Sequence, residues 1–535
     1  MPADPGAPEQ STATVADLYK QGVNLLKDFK HREARQIFKE VITKLKGAED
    51  VPSLSRMACT LVKIGCIDDV TGKWQKATQN LERGLSIAKK SQDQSSILNC
   101  MLALARLEWE KGNIQSAETR ASEALTMAEA LGEEVLLARC GVTLATVLSK
   151  RGQREKAMEF LNRSENTVKR HMDRPEALAV MGAITNQQGI FHFKTGDQET
   201  ALDTFRRSCS LLSKMGPSKE LGEALRYMGI IFSIRRDHLN TLTNLLEALR
   251  TYKAMGYIFG IGKINNSLGQ TFLAMQELDR ALYFFGESGK RYVQVKAKPD
   301  LAGIYSKIGH VYMKKGSPGL AIQYYLKDLR ISSELENKHG LAYTYKNLGS
   351  AYRLQGEGEQ VLTFYMKSLE LFREFQDPMN EAEIHRELAL TYLDIGDLEE
   401  ALSSANDAAK IYETNDVLNE LATTMMLQGT IFRTAESPEK AEEFFSQSRS
   451  FFEETKDYAK LTKCLYEIGL LQLSQGEKEQ AMALFSKSIE MAESLNLDDL
   501  ISANLTEIEK LDEEMVISLS IDKLRHSRKD LDTQQ

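Results

Sequence analysis

The side chains in this 535-residue sequence that could carry chemistry are few and scattered. Six cysteines occur, at Cys59, Cys66, Cys100, Cys140, Cys209 and Cys464, with no CxxC pair among them. A zinc site needs several ligands at close spacing, and no histidine stands beside Cys59 or Cys66. The cysteines therefore read as small buried thiols in a reducing compartment, and no metal or cofactor is expected. There is no P-loop, no HExxH and no GxSxG. The "FGIG" at 259–262 is too short for a dinucleotide fingerprint and follows no strand. The "GEGEQ" at 356–360 falls in a turn. His310 and His385 map to helices, one as a contact residue and one in a core slot. The expectation is a protein without catalysis of its own.

Charge is the remaining resource. Lys and Arg number 68 against 76 Asp and Glu, a net charge of −8. Residues 1–210 carry +3 (30 − 27), residues 211–350 carry +9 (20 − 11), and residues 351–535 carry −20 (18 − 38). A basic middle favours an acidic or polar peptide partner. Nucleic acid is disfavoured, because no Lys/Arg run or base-stacking module accompanies the charge. Basic middle to acidic C-terminal part leaves self-association open.

The elements that must hold these groups are visible as a period. An alanine or its substitute recurs at Ala34, Ala77, Ala117, Ala157, Ala201, Thr241, Ala281, Ala321, Val361, Ala401, Ala441 and Ala481. All but two of the steps are 40 residues; the exceptions are 43 and 44. A fixed period in this range marks a repeat array, in which each repeat packs on its neighbours. Each repeat reads as two helices. "LAGIYSKIGHVYMKK" is one, Gly316 stops it, and Pro318 opens "PGLAIQYYLKDLRISSELE". Pro52, Pro175, Pro217, Pro299, Pro318, Pro378 and Pro438 all fall in expected turns or helix starts, as a correct register requires.

In order, Tyr305, Ile308, Gly309, Tyr312, Gly316, Ala321 and Tyr325 resemble the tetratricopeptide-repeat consensus. The repeats are longer than the common 34 residues. With "YKNLGSAYRLQG" they are similar to Pins-type and rapsyn-type scaffold adaptors. No zinc-binding RING and no GoLoco motif follows. Repeat three departs from the pattern with Ala105 and Ala121, and repeat six with Arg236 and Thr241. The resemblance implies an all-α, right-handed α-solenoid of about twelve helical hairpins. The expected bounds are a disordered lead (1–13), the array (14–490), a capping helix (491–516) and a polar tail (517–535).

The resemblance also implies that first helices line a concave groove for a peptide. Projecting the register inward gives Asn266, Gln270, Lys307, His310, Lys346, Asn347, Ser350, Arg353 and Arg386 as candidate groove residues. Earlier repeats place Val23, Cys66, Leu102 and Val142 inward, a more apolar lining. The Lys-plus-Asn clamp of chaperone-binding arrays is absent, since Ser350 follows Lys346 and Glu387 stands where Asn is wanted. No apolar run approaches the roughly 18 residues of a membrane span. The expectation is a cytoplasmic scaffold that binds a protein segment for cytoskeletal or signalling assembly. The alternatives are a regulator that sequesters a transcription factor or peptide signal, and an accessory subunit of an enzyme complex.

Overall fold

The computed structural model describes residues 13–511. Among them are 25 α-helices, two short 3-10 helices and no strand. Twelve antiparallel hairpins run from Val15–Lys27 with His31–Lys44 to Tyr458–Ser474 with Lys478–Leu495. A last helix, Asp498–Leu511, follows. The hairpin solenoid expected from the period is therefore present. The cap boundary placed at 491 needs correction, because residues 491–495 complete the preceding helix. The expected lead and tail lie outside the described residues. The helices group into two compact units, one ending at Gly316 and one beginning at Ser317.

Local chemistry sets the helix ends. Asp93, Asp197, Asp237, Asp377, Asp397 and Asp457 each accept a backbone N–H three residues on, so the first turn of the following helix is capped. Pro175, Pro318, Pro378 and Pro438 occupy the first helical position, where a missing N–H costs nothing. Most helices are stopped by a residue in the left-handed conformation, whereas Arg154–Val168 runs into a 3-10 turn. From residue 236 to residue 496 one such residue stands every 20 residues. Gly316, Gly356, Gly396 and Gly476 fill some of these places without strain, at φ +66° to +87°. Arg236, Gln276 and Glu436 fill others at φ +54° to +62° and bear the Cβ penalty.

Packing explains the small residues. The recurring alanine slot is no more than 2% exposed at every repeat, Thr241 and Val361 included. Thr241 tolerates burial because its hydroxyl donates to the Asp237 carbonyl at 2.7 Å. In several repeats the glycine of the first helix faces the ring of its own second helix, while Gly65 and Gly229 face Leu81 and Leu245. A Cβ on Gly349 would stand 2.5 Å from Tyr365, and one on Gly269 would stand 2.6 Å from Phe285. Where the first helix carries alanine, the second gives up its ring: Ala105 goes with Ala121, and Ala389 with Ala405, all fully buried. The departure noted in repeat three is thus an exchange of volume between facing positions, which close packing permits.

Candidate functional site

The unit ending at Gly316 closes on itself. His31 Nε2, in repeat one, donates to the Met255 carbonyl of repeat six at 2.6 Å. Trp74 and Phe259 meet edge to face, with ring centroids 5.2 Å apart. A Cβ on Gly72 would stand 2.6 Å from Val295. Lys219, at the start of repeat six, donates to Asp69 at 2.8 Å and to Glu110 at 2.7 Å. Tyr257 donates to the same Glu110 oxygen at 2.8 Å, and Arg106 pairs with Glu220 at 2.9 Å. These contacts join residues 109 to 224 positions apart. They bring the first helices of repeats three to seven around one lumen.

That lumen holds a cavity of about 410 Å³. One wall is apolar, formed by Ala105, Val142, Val147, Ala179, Val180 and Ala183. The polar wall of the lining holds Trp109, Glu110, Lys219, Glu220, Tyr257 and Lys263. A second cavity of about 250 Å³ shares Trp109, Glu110, Thr146, Gln187, Glu223 and Lys263 with the first. The Glu110 side chain is only 3% exposed.

The polar wall is an electrostatic cluster out of bulk water. Burial and the neighbouring Glu110 carboxylate push Asp69 up to about 6. Burial also opposes the charge on Glu110, but the Lys219 ammonium beside it holds that carboxyl below its usual range. Burial and the facing Glu110 charge raise the Tyr257 hydroxyl. Lys263 has the Trp109 ring at 5.3 Å and the Phe259 ring at 4.8 Å, and burial lowers its affinity for a proton. Two buried atoms on this wall, Trp109 Nε1 and Glu110 Oε2, have no hydrogen-bond partner. Such groups each cost about 1–3 kcal/mol unless something enters to satisfy them.

The expected groove residues distribute differently. In the first unit, Lys307 donates to Asn266 at 2.9 Å, while Gln270 and His310 are exposed. In the second unit the cations meet acids of the next first helix. Lys346 donates to Glu383 at 2.8 Å and to Asn380 at 3.2 Å. Arg353 lies 3.5 Å from both Glu387 and Asp394, and Arg386 pairs with Glu420. Ser350 shares a 3.0 Å hydrogen bond with Tyr365, which ties it to its own hairpin. Asn347 is half-buried on the same helix. Charge counting registered these cations and missed their partners. His385 is 5% exposed, in the core slot expected for it, with Arg373 Nη2 at 3.0 Å from Nε2.

Of the early inward residues, Val142 lines the lumen, and Leu102 is buried in the core beside it. Cys66 corrects the reading of uniformly buried thiols, because it is exposed. The protein packed around it, and then the Asp69 charge, still raise the thiol. The polar wall itself was missed in the sequence. Its one legible signal was Trp109, one of only two tryptophans, set between Glu108 and Glu110.

Three stretches match family models. Residues 8–206 match the MalT-like TPR region, and residues 300–374 and 462–495 match tetratricopeptide repeat models. A search of the curated proteins finds no match. Among solved structures, the apo form of RapI aligns with a TM-score of 0.57 at 15% identity, over 67% of this chain and 98% of that one. The apo form of the quorum sensor NprR from B. thuringiensis aligns with a TM-score of 0.52 at 17% identity, over 68% of this chain and 99% of that one. The array is thus built of tetratricopeptide repeats and shares its fold with these two proteins. The finer resemblance to Pins-type and rapsyn-type scaffolds rests on the sequence motif alone.

Proposed function

We propose that this chain of tetratricopeptide repeats works by binding, and that it takes a peptide segment into the lumen of its first unit. The observation that carries this reading is the pair Trp109 Nε1 and Glu110 Oε2. Both are buried against an open cavity, and neither has a partner. Nearly all buried polar groups in folded proteins are hydrogen-bonded. A peptide offers the carbonyl and N–H that these two atoms lack, and the apolar part of the lining accommodates its side chains. Because the lining of the lumen comes from repeats three to seven, a ligand there bridges distant parts of the chain. That favours a regulator which responds to a peptide over a passive scaffold. NprR is described as a quorum sensor; for this chain the reading stands on the lumen.

The cations of the second unit remain a further peptide surface only for a ligand able to displace Glu383, Glu387 and Glu420. A displayed random-peptide library selected on the full chain separates the two surfaces. Ala183→Phe, which fills the cavity, should lose the selected binders while circular dichroism stays unchanged. The pair Lys346→Glu with Arg386→Glu should retain them. Equal binding by Ala183→Phe would place the site outside the lumen.

A further inference from the structure

The smaller cavity has a composition that a generic peptide backbone does not explain. It is lined by four cations, Lys150, Lys194, Arg226 and Lys263. The carboxylates on the same lining are Glu110, Glu223 and Asp300. Glu110 is already engaged by Lys219 and Tyr257, and Glu223 lies 4.0 Å from Arg226. Lys150, Lys194 and Lys263 take part in none of the ion pairs among the described residues. Two of them flank one ring: Lys150 lies 5.4 Å and Lys263 5.3 Å from the Trp109 centroid. Lys194 is exposed and donates to the Ser149 hydroxyl at 3.3 Å.

Lys263 is half-buried while Lys150 and Lys194 are exposed, and the Asp300 carboxylate on the same lining is stabilised by both Lys263 and Lys150. The lining carries four positive and three negative charges (4 − 3 = +1). One added negative charge balances it, whereas a phosphate dianion would exceed it. Trp109 Nε1 supplies an unpartnered donor at the same place, and a carboxylate is an acceptor that charge-assisted donors bind well.

Resting on the reading that the lumen takes a peptide, we infer that the ligand is anchored by a carboxylate held between Lys150, Lys263 and Trp109, with its apolar residues in the larger cavity. Burial lowers the proton affinity of Lys263 and of Lys194. A bound carboxylate would reverse that strain, so anchoring and charge retention support each other.

The test uses two synthetic eight-residue peptide pools randomised over apolar residues. One ends in a free carboxylate and the other in a carboxamide. Each is passed over the immobilised full-length protein, and retained peptides are quantified by mass spectrometry. The carboxylate pool should be retained at least tenfold better. Lys263→Met should remove that preference, and Lys150→Met serves the same purpose should the first variant misfold. Acetate should compete at lower concentration than inorganic phosphate. Equal retention of both pools by the wild type overturns the carboxylate anchor and leaves the peptide reading standing. Retention of neither pool overturns both. Stronger competition by phosphate overturns the assignment to a carboxylate.

Discussion

Tyr257 donates a 2.8 Å hydrogen bond to Glu110, a residue 147 positions earlier in the chain. Both side chains are buried, and Lys219 approaches the same carboxylate oxygen at 2.7 Å. A repeat array held only by nearest neighbours would have no such bond. Here it joins the start of repeat seven to repeat three and walls the lumen between them.

Lys219 should therefore be the most sensitive residue of this closure. Lys219→Met removes the one ammonium that both Asp69 and Glu110 bind directly among the described residues. Removing one member of a buried ion pair costs about 3–5 kcal/mol. Urea unfolding should show a loss of that size, and the triple variant Lys219→Met, Asp69→Asn, Glu110→Gln should recover most of it. If the triple variant is no better than the single one, the three groups do not act as one cluster.

Asp69 gives a pH signature. In the folded chain it holds its proton up to about pH 6, while the ordinary value is 3.8. Between those values the folded state binds more protons than the unfolded one, so this group makes the fold less stable as pH rises. Asp69→Asn removes that contribution. Relative to wild type, the variant should gain stability from pH 4 to pH 7, by up to about 3 kcal/mol. Urea midpoints at pH 4, 5.5 and 7 measure it. A gap that stays constant across the three would show that Asp69 titrates normally.

Glu436 is exposed and sits at φ +54°, a place that glycine fills in other repeats. Glu436→Gly should raise stability by about 1 kcal/mol, the size of the left-handed penalty. Gly349→Ala should do the opposite. Its Cβ would meet the fully buried Tyr365 ring at 2.5 Å, and overpacking of this kind costs about 1–3 kcal/mol. Thermal melts of the two variants should move in opposite directions.

Lys346 was expected as a groove residue facing a peptide. Its side chain is only 17% exposed, and its ammonium sits 2.8 Å from Glu383. Lys346→Glu should cost about 1 kcal/mol through like-charge contact, and adding Glu383→Lys should restore roughly half. A double-mutant cycle with no coupling would return Lys346 to the status of a free surface charge.

The alternation of helices was legible because each repeat must bury the same face. Gly349 under Tyr365 and Ala321 in its slot recur at one spacing, so the period exposes the hairpin before any coordinates do. The prolines agreed for the same local reason. Half of the left-handed stops stayed hidden, because Gln276 and Glu436 carry no signature of the conformation that they adopt. Their φ is imposed by the packing of the helices on either side.

The site was less legible than the fold. Lys346, Arg353 and Arg386 were found as inward cations, yet their acidic partners stand on the next first helix, 34 to 41 residues on. The register alone does not say which neighbouring side chains reach each other. Trp109 and Glu110 were visible only as an unusual pair of residue types.

By itself, the sequence determined the repeat, its two helices, the small-residue slots and the segregation of charge. All of these follow from side-chain periodicity within about 40 residues. Only the tertiary structure decided that Asp69, Glu110, Lys219 and Tyr257 share one buried cluster around a cavity. The curvature that brings them together is the sum of small rotations at each repeat junction. No single residue encodes that sum, so the closure of the first unit is a property of the whole array.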